Sequence, residues 1–473
     1  MSSETMPRIT ASQIEAVYER LLPLLGDRIS RATALRDQHS RGEGVPDAGL
    51  PDIVVFPTTN DEVAAVAAAC TAQTVPIVPF GTGTSLEGHV AAVQGGVCVD
   101  LSRMDAILAV SPEAMDCRVQ AGVTRNALNA ALRPDGLFFP VDPGANASIG
   151  GMAATRASGT AAVRYGTMRE NVLGLTVVTP DGKVIRTGTR ARKSASGLDL
   201  TRLYIGSEGV LGLITEVQLK LHGLPETVVA AVCQFPSLEA AMATVIAVLQ
   251  AGVPVARIEL ANALQMHMCI RYSGLDEFEE APTLFLEFHG SALATEEQAS
   301  FVQDIATEMG GSRFAFASLP EERTRLWKAR HSNYYATLHY QPGKAVMGTD
   351  ACVPLSALVE CITETEEDVA RTGLLAPLIG HVGDGNFHLG IIFDVNDADE
   401  RARAEGLARR VGERAIALGG TCTGEHGVGL HKRELAALEH GDAAAIMWAI
   451  KRALDPAGIM NPGKLLPLSG ESP

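Results

Sequence analysis

The chain has 473 residues, of which 46% are hydrophobic and 20% charged, and this composition predicts a globular protein of two or three domains. Its formal net charge of −16 argues against nucleic acid and anionic membranes as partners. The eight cysteines are scattered and form no Cys-x-x-Cys pair, which argues against a disulfide framework, a zinc ribbon and an iron–sulfur cluster.

Two further features bear on where the protein works. The first ten residues, MSSETMPRIT, show no basic stretch followed by an apolar one, so no secretory signal is expected. The longest apolar run, residues 240–256, contains Gln250, Gly252 and Pro254, which favours a buried helix, a turn and a strand over a membrane span. With scattered cysteines, these features predict a cytoplasmic protein; a peripheral position at the inner membrane is the alternative.

The first predicted elements are a helix and a β-α-β unit. TASQIEAVYERLLPLLG predicts a helix with a capping box of Thr10 and Gln13 and an end at Gly26. IVVFP predicts a strand, TNDEVAAVAAACTAQ a helix, and VPIVPF a strand that leads into a glycine-rich loop. Short strands are expected over 95–125, followed by a helix at about 123–133.

The next stretch, residues 134–175, is rich in Gly, Ala, Ser and Pro and predicts a long functional loop. GLTVVTPDGKVIRTG then predicts two strands around an Asp-Gly turn. Strands and helices alternate in the second half, which ends in a helical tail at about 432–455. The predicted domains are residues 1–225, with a core at 50–225, and residues 226–430, followed by a C-terminal segment, 431–473.

Three glycine-containing stretches are candidate binding loops. In the first, PFGTGTSLEGH at 79–89, small residues would let backbone amides face a diphosphate; a glycine-rich surface turn is the alternative. The loop lacks the Gly-Lys-Ser/Thr of a Walker A motif and the clean Gly-x-Gly-x-x-Gly of a dinucleotide fold. Asp100 stands where a ribose-binding acid would, but a strand and not a helix follows the loop. The other stretches are 141–175 and 204–221.

In order and spacing, these stretches resemble the flavin domain of the vanillyl-alcohol oxidase / p-cresol methylhydroxylase superfamily. Within it the chain is most similar to the D-lactate dehydrogenase, glycolate oxidase and D-2-hydroxyglutarate dehydrogenase group, over about 50–467. The resemblance implies an α+β fold, in which a flavin domain is followed by a substrate domain with helices on an antiparallel sheet and by a C-terminal segment, 431–473, that returns to the flavin domain. It also implies noncovalent FAD, since 81–85 contain no histidine. It assigns FAD contacts to Gly81, Thr82, Gly83, Thr84, Ser85, Gly88, Pro143, Gly144, Ala147, Ser148, Gly150, Gly151, Ala153, Ser158, Gly159, Tyr165, Gly166, Glu208, Gly209, Gly212, Ile214 and Asn461.

Two histidines flank a Gly-Asp-Gly turn in GHVGDGNFHLG, residues 380–390. Strand-like residues surround it, and Asp384-Gly385 predicts a two-residue hairpin turn. That turn would oppose His381 and His388 directly, with Cβ atoms about 4.5–5.5 Å apart on one face. The spacing is compatible with a shared metal ion; two ordinary polar histidines are the alternative.

A third ligand candidate lies in GGTCTGEHGVGLHKRE, where Glu425 and His426 stand among glycines; a solvated loop is the alternative. His381, His388 and Glu425 together suit zinc or manganese with open coordination positions. In the 2-hydroxy-acid dehydrogenases that the chain resembles, the matching residues bind a divalent metal. The histidine after the glutamate contacts substrate there, so the resemblance implies that His426 is the catalytic base.

An anionic substrate also needs a cation. RTRLWKARHSNYYATLHY predicts a helix, and its Arg330 matches the carboxylate-binding arginine of the family; a helix-surface arginine is the alternative. The implied mechanism chelates the substrate's carboxylate and hydroxyl on the metal, which lowers the hydroxyl pKa. His426 then takes the proton, and the C2 hydride passes to flavin N5.

Two positions bear on the substrate. Relatives that act on 2-hydroxyglutarate tend to carry a lysine near Gly348 and an asparagine at the position of Gly390. Their absence favours a small monocarboxylate such as D-lactate, although Lys344 could still reach a second carboxylate.

The sequence therefore predicts FAD- and metal-dependent oxidation of D-lactate to pyruvate, with D-2-hydroxyglutarate or glycolate as alternative substrates. A non-redox flavin transferase resembling the alkylglycerone-phosphate synthases and a partner subunit of a larger oxidase are further alternatives. The expected partners are the 2-hydroxy acid and an electron acceptor, for which cytochrome c, a quinone and an electron-transfer flavoprotein stay open, as does a homodimer.

Overall fold

The computed structural model of the protein describes residues 9–43 and 49–466. Two compact units are distinguished. The first holds the described residues of Met1–Ser158, Thr167–Leu224 and Glu425–Pro473, and the second holds Gly159–Gly166 and Pro225–Gly424. The chain thus changes unit at Gly159, Thr167, Pro225 and Glu425. The sequence analysis divided it near 225 and at 431 and did not separate 159–166.

The elements up to residue 224 are short strands and mostly short helices. In chain order they are α1 (Ala11–Leu25), β1 (Ile29–Ser30), α2 (Thr33–Gln38), β2 (Ile53–Val55), α3 (Asn60–Gln73), β3 (Ile77–Phe80), β4 (Val97–Asp100), β5 (Ile107–Ser111), β6 (Asp116–Gln120), α4 (Arg125–Leu132), β7 (Leu137–Phe138), α5 (Ile149–Thr155), α6 (Ala162–Tyr165), α7 (Met168–Asn171), β8 (Val172–Val178), β9 (Val184–Arg186), α8 (Leu200–Tyr204), β10 (Leu213–Lys220) and β11 (His222–Gly223).

The elements after residue 224 include longer strands and helices. They are β12 (Thr227–Gln234), α9 (Leu238–Gln250), β13 (Arg257–Ala261), α10 (Ala263–Ser273), β14 (Thr283–Gly290), α11 (Ala292–Glu308), β15 (Ser312–Ala317), α12 (Pro320–His331), α13 (Asn333–Tyr340), β16 (Ala345–Gly348), β17 (Ala351–Cys352), α14 (Leu358–Thr372), β18 (Leu378–His381), β19 (Asn386–Phe393), α15 (Ala398–Ala417), α16 (Arg433–His440) and α17 (Ala443–Leu454).

The first unit is built on two main sheets. One has the order β1-β2-β4-β3, in which β2 and β3 run parallel to β4, and the other is antiparallel with the order β5-β6-β10-β8-β9. The N-terminal helix begins with the predicted capping box of Thr10 and Gln13 and ends before Gly26. The predicted β-α-β unit is present as β2-α3-β3, and Thr59 caps α3. The predicted mixture of helices and sheets is therefore confirmed.

The stretch 134–175 is less irregular than its composition predicts, because short helices interrupt it. Ser148 begins α5 by accepting a hydrogen bond from the Gly151 amide, and a second capping box of Thr167 and Glu170 begins α7. Helices this short leave little apolar periodicity, so the sequence pattern did not reveal them.

The C-terminal segment of the first unit completes the edge of the first sheet. The amide of Ile77 donates to the Ile459 carbonyl at 2.8 Å, and the amide of Asn461 donates to the Ile77 carbonyl at 2.8 Å. These bonds place Asn461 beside β3, the strand that leads into the glycine loop at 81–85.

The second unit is a large antiparallel sheet with helices packed on it. Its strand order is β15-β12-β14-β13-β18-β19-β16, and β17 also pairs with β19. A buried core forms where α10, α12 and α13 meet this sheet, around Phe285, Trp327 and Met266. The predicted arrangement of helices on an antiparallel sheet is confirmed.

The predicted two-residue turn of the histidine hairpin is wrong. His381 pairs with Asn386, and His388 pairs with Ile379, so four residues, 382–385, form the turn. The backbone explains the wider turn, because Gly385 adopts a φ of +78° and its carbonyl accepts the Val353 amide at 3.0 Å. His381 and His388 are therefore diagonal neighbours on one face and not directly opposed.

Candidate active site

The glycine loop of the first unit presents unused backbone amides. In the part of the chain that the structure describes, the amides of residues 81–85 donate no hydrogen bond to a protein acceptor. A Cβ on Gly81 would lie 2.4 Å from Oγ of Ser148, so a larger residue there would displace the Ser148 side chain. A run of bare amides behind small residues suits a diphosphate, and this part of the predicted FAD site fits the cofactor.

The other two candidate stretches lie against the same loop. Ser148, which contacts Gly81, comes from the second stretch. In the third stretch a Cβ on Gly209 would lie 2.4 Å from Pro79, directly before the loop. Glu208, which has a left-handed φ of +51°, accepts the Asn461 side-chain amide on its carbonyl at 2.7 Å. The first unit therefore brings together the three stretches and Asn461, although they are far apart in the chain.

Two buried polar atoms in this region are candidates for FAD contacts. Oδ1 of Asn461 and Oγ of Ser207 are buried, and within the described residues they have no hydrogen-bond partner. Buried polar atoms are normally paired, so such atoms beside a glycine loop fit a polar ligand. The sequence analysis named Asn461 but not Ser207.

Three predicted FAD contacts belong to the second unit: Gly159, Tyr165 and Gly166. The Tyr165 hydroxyl lies 2.8 Å from Nδ1 of His289, within that unit. Asp100, rejected as a ribose-binding acid, pairs instead with Nε2 of His39 at 2.8 Å. Asp100 is therefore a structural residue in this fold.

In the second unit, Nδ1 of each hairpin histidine lies beside a hydrogen-bond acceptor. Nδ1 of His381 lies 2.7 Å from the Glu259 carboxylate, and Nδ1 of His388 lies 2.9 Å from the Thr349 carbonyl. The ring centroids are 5.4 Å apart. A histidine that donates from Nδ1 to such an acceptor presents Nε2 as a metal ligand, so this donor set fits a zinc or manganese ion.

Glu259 also holds the predicted substrate arginine. Nε of Arg330 donates to the Glu259 carboxylate at 2.8 Å, and a second guanidinium nitrogen lies 2.6 Å from it. Glu259 is fully buried on β13. Burial opposes ionisation, but the positive charges of His381 and Arg330 hold the pKa of Glu259 below its usual value. One ionised carboxylate thus fixes both groups.

Asp350 is a further carboxylate beside His388 that the sequence analysis did not single out. Its Oδ1 lies 3.6 Å from Nδ1 of His388 and accepts the Asn386 side-chain amide at 2.8 Å. Thr423 donates to the other oxygen at 2.8 Å, and the Gly424 amide donates to the Asp350 carbonyl at 3.2 Å. The chain segment that leads to Glu425 is therefore fixed beside His388.

Glu425 and His426 begin the C-terminal part of the first unit. Nδ1 of His426 lies 3.5 Å from the carboxylate of Glu87, a buried residue of the first loop. Burial again opposes ionisation, but the positive charge of Lys432 and the contacts with His426 and His431 hold the pKa of Glu87 well below its usual range.

The two substrate positions lie side by side in the sheet of the second unit, and one of them is crowded. Gly348 and Gly390 are directly paired between β16 and β19. A Cβ at Gly390 would lie 3.2 Å from the Thr337 methyl group, which leaves no room for an asparagine without movement. Lys344 binds Glu400 at 2.8 Å, so the expectation that it could reach a second carboxylate is not supported.

Comparison with known proteins agrees with these features. Residues 51–188 match the family described as FAD binding domain, and residues 224–465 match FAD linked oxidases, C-terminal domain. With the glycine loops of the first unit, these two domains define a flavin-dependent oxidoreductase. The chain belongs to the family of FAD-linked oxidases, and the predictions of FAD and of an oxidoreductase are confirmed.

Individual relatives cover nearly the whole chain. A Danio rerio protein named probable D-lactate dehydrogenase, mitochondrial, is 50% identical over 461 residues, which are 96% of this chain and 93% of that protein. An Arabidopsis thaliana protein named D-lactate dehydrogenase (cytochrome), mitochondrial, is 45% identical, with 98% and 81% covered. The solved structure of p-cresol methylhydroxylase with substrate bound shares the fold, with a TM-score of 0.79 at 18% identity over 98% of this chain and 99% of that one.

Proposed function

We propose that the protein oxidises a D-2-hydroxy acid, with D-lactate as the first candidate, and that it uses FAD together with a zinc or manganese ion. The observation that carries the proposal is the Arg330–Glu259–His381 contact. It joins a cation for the substrate carboxylate to a histidine oriented as a metal ligand. The names of the relatives with 50% and 45% identity support D-lactate as the substrate.

The proposed metal ligands are Nε2 of His381, Nε2 of His388 and the Glu425 carboxylate. Two of the three are supported by their Nδ1 partners in the second unit. For Glu425 the support comes from its neighbour in the chain, Gly424, whose amide donates to the Asp350 carbonyl. Consecutive Cα atoms are about 3.8 Å apart, so this hydrogen bond fixes the start of Glu425. Such an ion would polarise the substrate hydroxyl and lower its pKa.

The remaining roles follow from the chemistry of each side chain. Bound noncovalently, FAD supplies a two-electron acceptor for the hydride of the substrate. The Arg330 guanidinium keeps donors beyond those that Glu259 occupies, and these would bind the substrate carboxylate. His426, whose Nδ1 lies 3.5 Å from the Glu87 carboxylate, would accept the hydroxyl proton on Nε2.

The glycine pair favours a small substrate. A second carboxylate would need a polar partner, and neither Gly348 nor Gly390 provides a side chain, while Lys344 is bound to Glu400. We therefore place D-lactate before D-2-hydroxyglutarate, and the names of the relatives with 50% and 45% identity place it before glycolate.

The electron acceptor is also a proposal, and the cytoplasmic location stays a prediction. Relatives named cytochrome-linked and mitochondrial make a cytochrome the first acceptor to test, before a quinone or an electron-transfer flavoprotein. Within the described residues, no helix combines the length and apolar character needed to cross a bilayer.

The test is anaerobic visible spectroscopy of the purified protein. D-lactate, L-lactate, glycolate and D-2-hydroxyglutarate are added in turn, with and without a chelator. D-lactate should bleach the flavin fastest, and the chelator should slow that bleaching. Bleaching by D-2-hydroxyglutarate alone would move the proposal to that substrate, and a yellow protein that no acid bleaches would refute this substrate class.

A further inference from the structure

Glu87 is a buried carboxylate that the glycine loop places among three basic side chains. Its Oε1 lies 2.8 Å from Nζ of Lys432 and 3.5 Å from Nδ1 of His426. Its Oε2 lies 3.2 Å from Nδ1 of His431. All four residues belong to the first unit, and the side chain of Glu87 is only 6% exposed. Water therefore does little to screen these interactions.

The backbone of Glu87 fixes the same segment. The Glu87 carbonyl accepts the Leu430 amide at 2.7 Å. A Cβ on Gly429, which has a φ of +50°, would lie 1.9 Å from that carbonyl oxygen. The chain can follow this path only because residue 429 is a glycine.

A second buried carboxylate holds the preceding residues. The two oxygens of Glu208 accept the amides of Val428 at 2.7 Å and Gly429 at 2.9 Å. With the contacts of Glu87, they fix residues 426–432 from both the backbone and the side chains.

We propose that Glu87 is the positioning residue of His426, which it holds through Nδ1 so that Nε2 is the nitrogen that accepts the substrate proton. A carboxylate beside Nδ1 stabilises the tautomer with its proton there and fixes the plane of the ring. Lys432 supplies the charge that allows Glu87 to stay ionised in a buried place. This inference rests on the proposed function, because Glu87 acts only through the base assigned to His426.

The main test compares Glu87→Gln with the wild type in anaerobic single-turnover reduction by D-lactate. Removing the partner of an oriented histidine costs about 10- to 100-fold in activity, and we expect a loss of that size in the rate of flavin reduction. The apparent dissociation constant for D-lactate and the FAD content should change little. A rate within twofold of the wild type would overturn the proposal.

Two variants separate positioning from folding. Glu87→Gln removes the ion pair of the buried Lys432 with Glu87, so the pair Glu87→Gln/Lys432→Met removes both charges and should show the same loss of rate at restored thermal stability. The matched control is Glu216→Gln, a buried glutamate of the same unit that binds Asn60 and Thr176. It should keep the rate of the wild type.

A double-mutant comparison tests whether Glu87 acts through His426. In a His426→Asn background, adding Glu87→Gln should cause no further loss of rate, because the ring that Glu87 positions is absent. An equal loss in both backgrounds would show that Glu87 supports the fold or the flavin instead, and would overturn the inference.

A spectroscopic measurement keeps this proposal separate from the proposed function. In protein labelled with ¹⁵N-histidine, the His426 signals, assigned with His426→Asn, should show the proton on Nδ1 in the wild type and lose that preference in Glu87→Gln. A wild type that D-lactate does not reduce would refute the substrate, whereas an unchanged His426 tautomer in Glu87→Gln would refute the role of Glu87.

Discussion

Buried acids lie beside Nδ1 of two of the three candidate histidines. Glu259 binds Nδ1 of His381, and Glu87 lies near Nδ1 of His426, each from a different unit. Each acid also has a permanent cation, Arg330 or Lys432. Without that cation, the cost of burying the carboxylate would favour its neutral form, which orients a histidine less strongly.

The first prediction concerns Glu259→Gln. We expect the affinity for zinc or manganese to fall by about 10- to 100-fold, because the His381 ring loses its carboxylate partner. The measurement is metal binding to the apoprotein by competition with a chromophoric chelator, which requires no enzyme activity.

The control for this variant is Glu287→Gln. Glu287 is also buried and binds His289 at 2.7 Å and Arg257 at 3.2 Å, so its loss should lower thermal stability to a similar extent. Metal affinity should stay that of the wild type. Equal metal losses in the two variants would mean that stability, and not the orientation of His381, controls binding.

At the residue scale, the sequence predicts which histidines belong to the candidate site better than it predicts which residues they contact. His381 and His388 stand out because they flank a glycine turn. Glu259 lies in an apolar strand, RIELA, and it reaches His381 only because β13 pairs with β18. Such a pairing joins residues more than a hundred positions apart, and no local pattern encodes it.

The hairpin of β18 and β19 is the element that sets the spacing of the two histidines. A Cβ on Gly385 would lie 2.0 Å from the Val353 carbonyl oxygen, and its φ is in the left-handed region. We predict that Gly385→Ala destabilises the protein, by about 1–3 kcal/mol from the backbone conformation alone. It should also weaken metal binding.

Gly343→Ala is the matched control for the hairpin. Gly343 belongs to the same unit and has a φ of +90°, but nothing lies within 4 Å of a Cβ built there. Gly343→Ala should lower the free energy of unfolding by about 1–2 kcal/mol and leave metal affinity unchanged. Thermal unfolding and chelator competition on both variants measure the two effects, and unchanged metal binding in Gly385→Ala would contradict the importance of the turn.

The start of α3 gives a prediction for acid stability. Glu62 accepts Arg28 at 2.6 Å and the Thr58 amide at 2.7 Å, and the hydrogen bond with Arg28 is the main reason that its pKa is lowered to about 2. Because the folded pKa lies below the unfolded value, the stabilisation is complete above about pH 4.5 and is lost as the pH falls toward 2.

Glu62→Gln should therefore lower the unfolding temperature at pH 7, in proportion to a loss of about 1–2 kcal/mol after solvent screening. The difference from the wild type should shrink steadily as the pH is lowered from 5 to 3. Differential scanning calorimetry across that range measures it, and a difference that is constant with pH would show that the ion pair is not its origin.

The hairpin also shows the limit of prediction at the scale of elements. Periodicity and turn residues correctly predicted both strands, as they did the capping box of α1 and the strands around Asp181-Gly182. The predicted pairing of the two strands was wrong because the Gly385 carbonyl accepts a hydrogen bond from the amide of Val353, a residue outside the hairpin. A tertiary hydrogen bond therefore selected a wider turn than the local sequence favours.

At the scale of the whole molecule, the chain leaves the first unit at Pro225 and returns at Glu425. The returning segment is bound closely: Nζ of Lys451 donates to the Val210 carbonyl at 2.7 Å, and the Ile459 carbonyl accepts the Ile77 amide. The family resemblance implied this return, but composition alone gave no sign of it, because such contacts join residues that are far apart in the chain.

The last prediction concerns a chain truncated after Gly424. Without the returning segment, the edge of β3 loses its partners at Ile77, and the region of the glycine loop loses Asn461. We expect the truncated protein to be purified without flavin, while the second unit, which ends at Gly424, keeps a cooperative transition in calorimetry.

The control Ile446→Ser changes an exposed side chain of the same segment and should retain full FAD. Stoichiometric FAD in the truncated protein would show that the cofactor is held without the C-terminal segment.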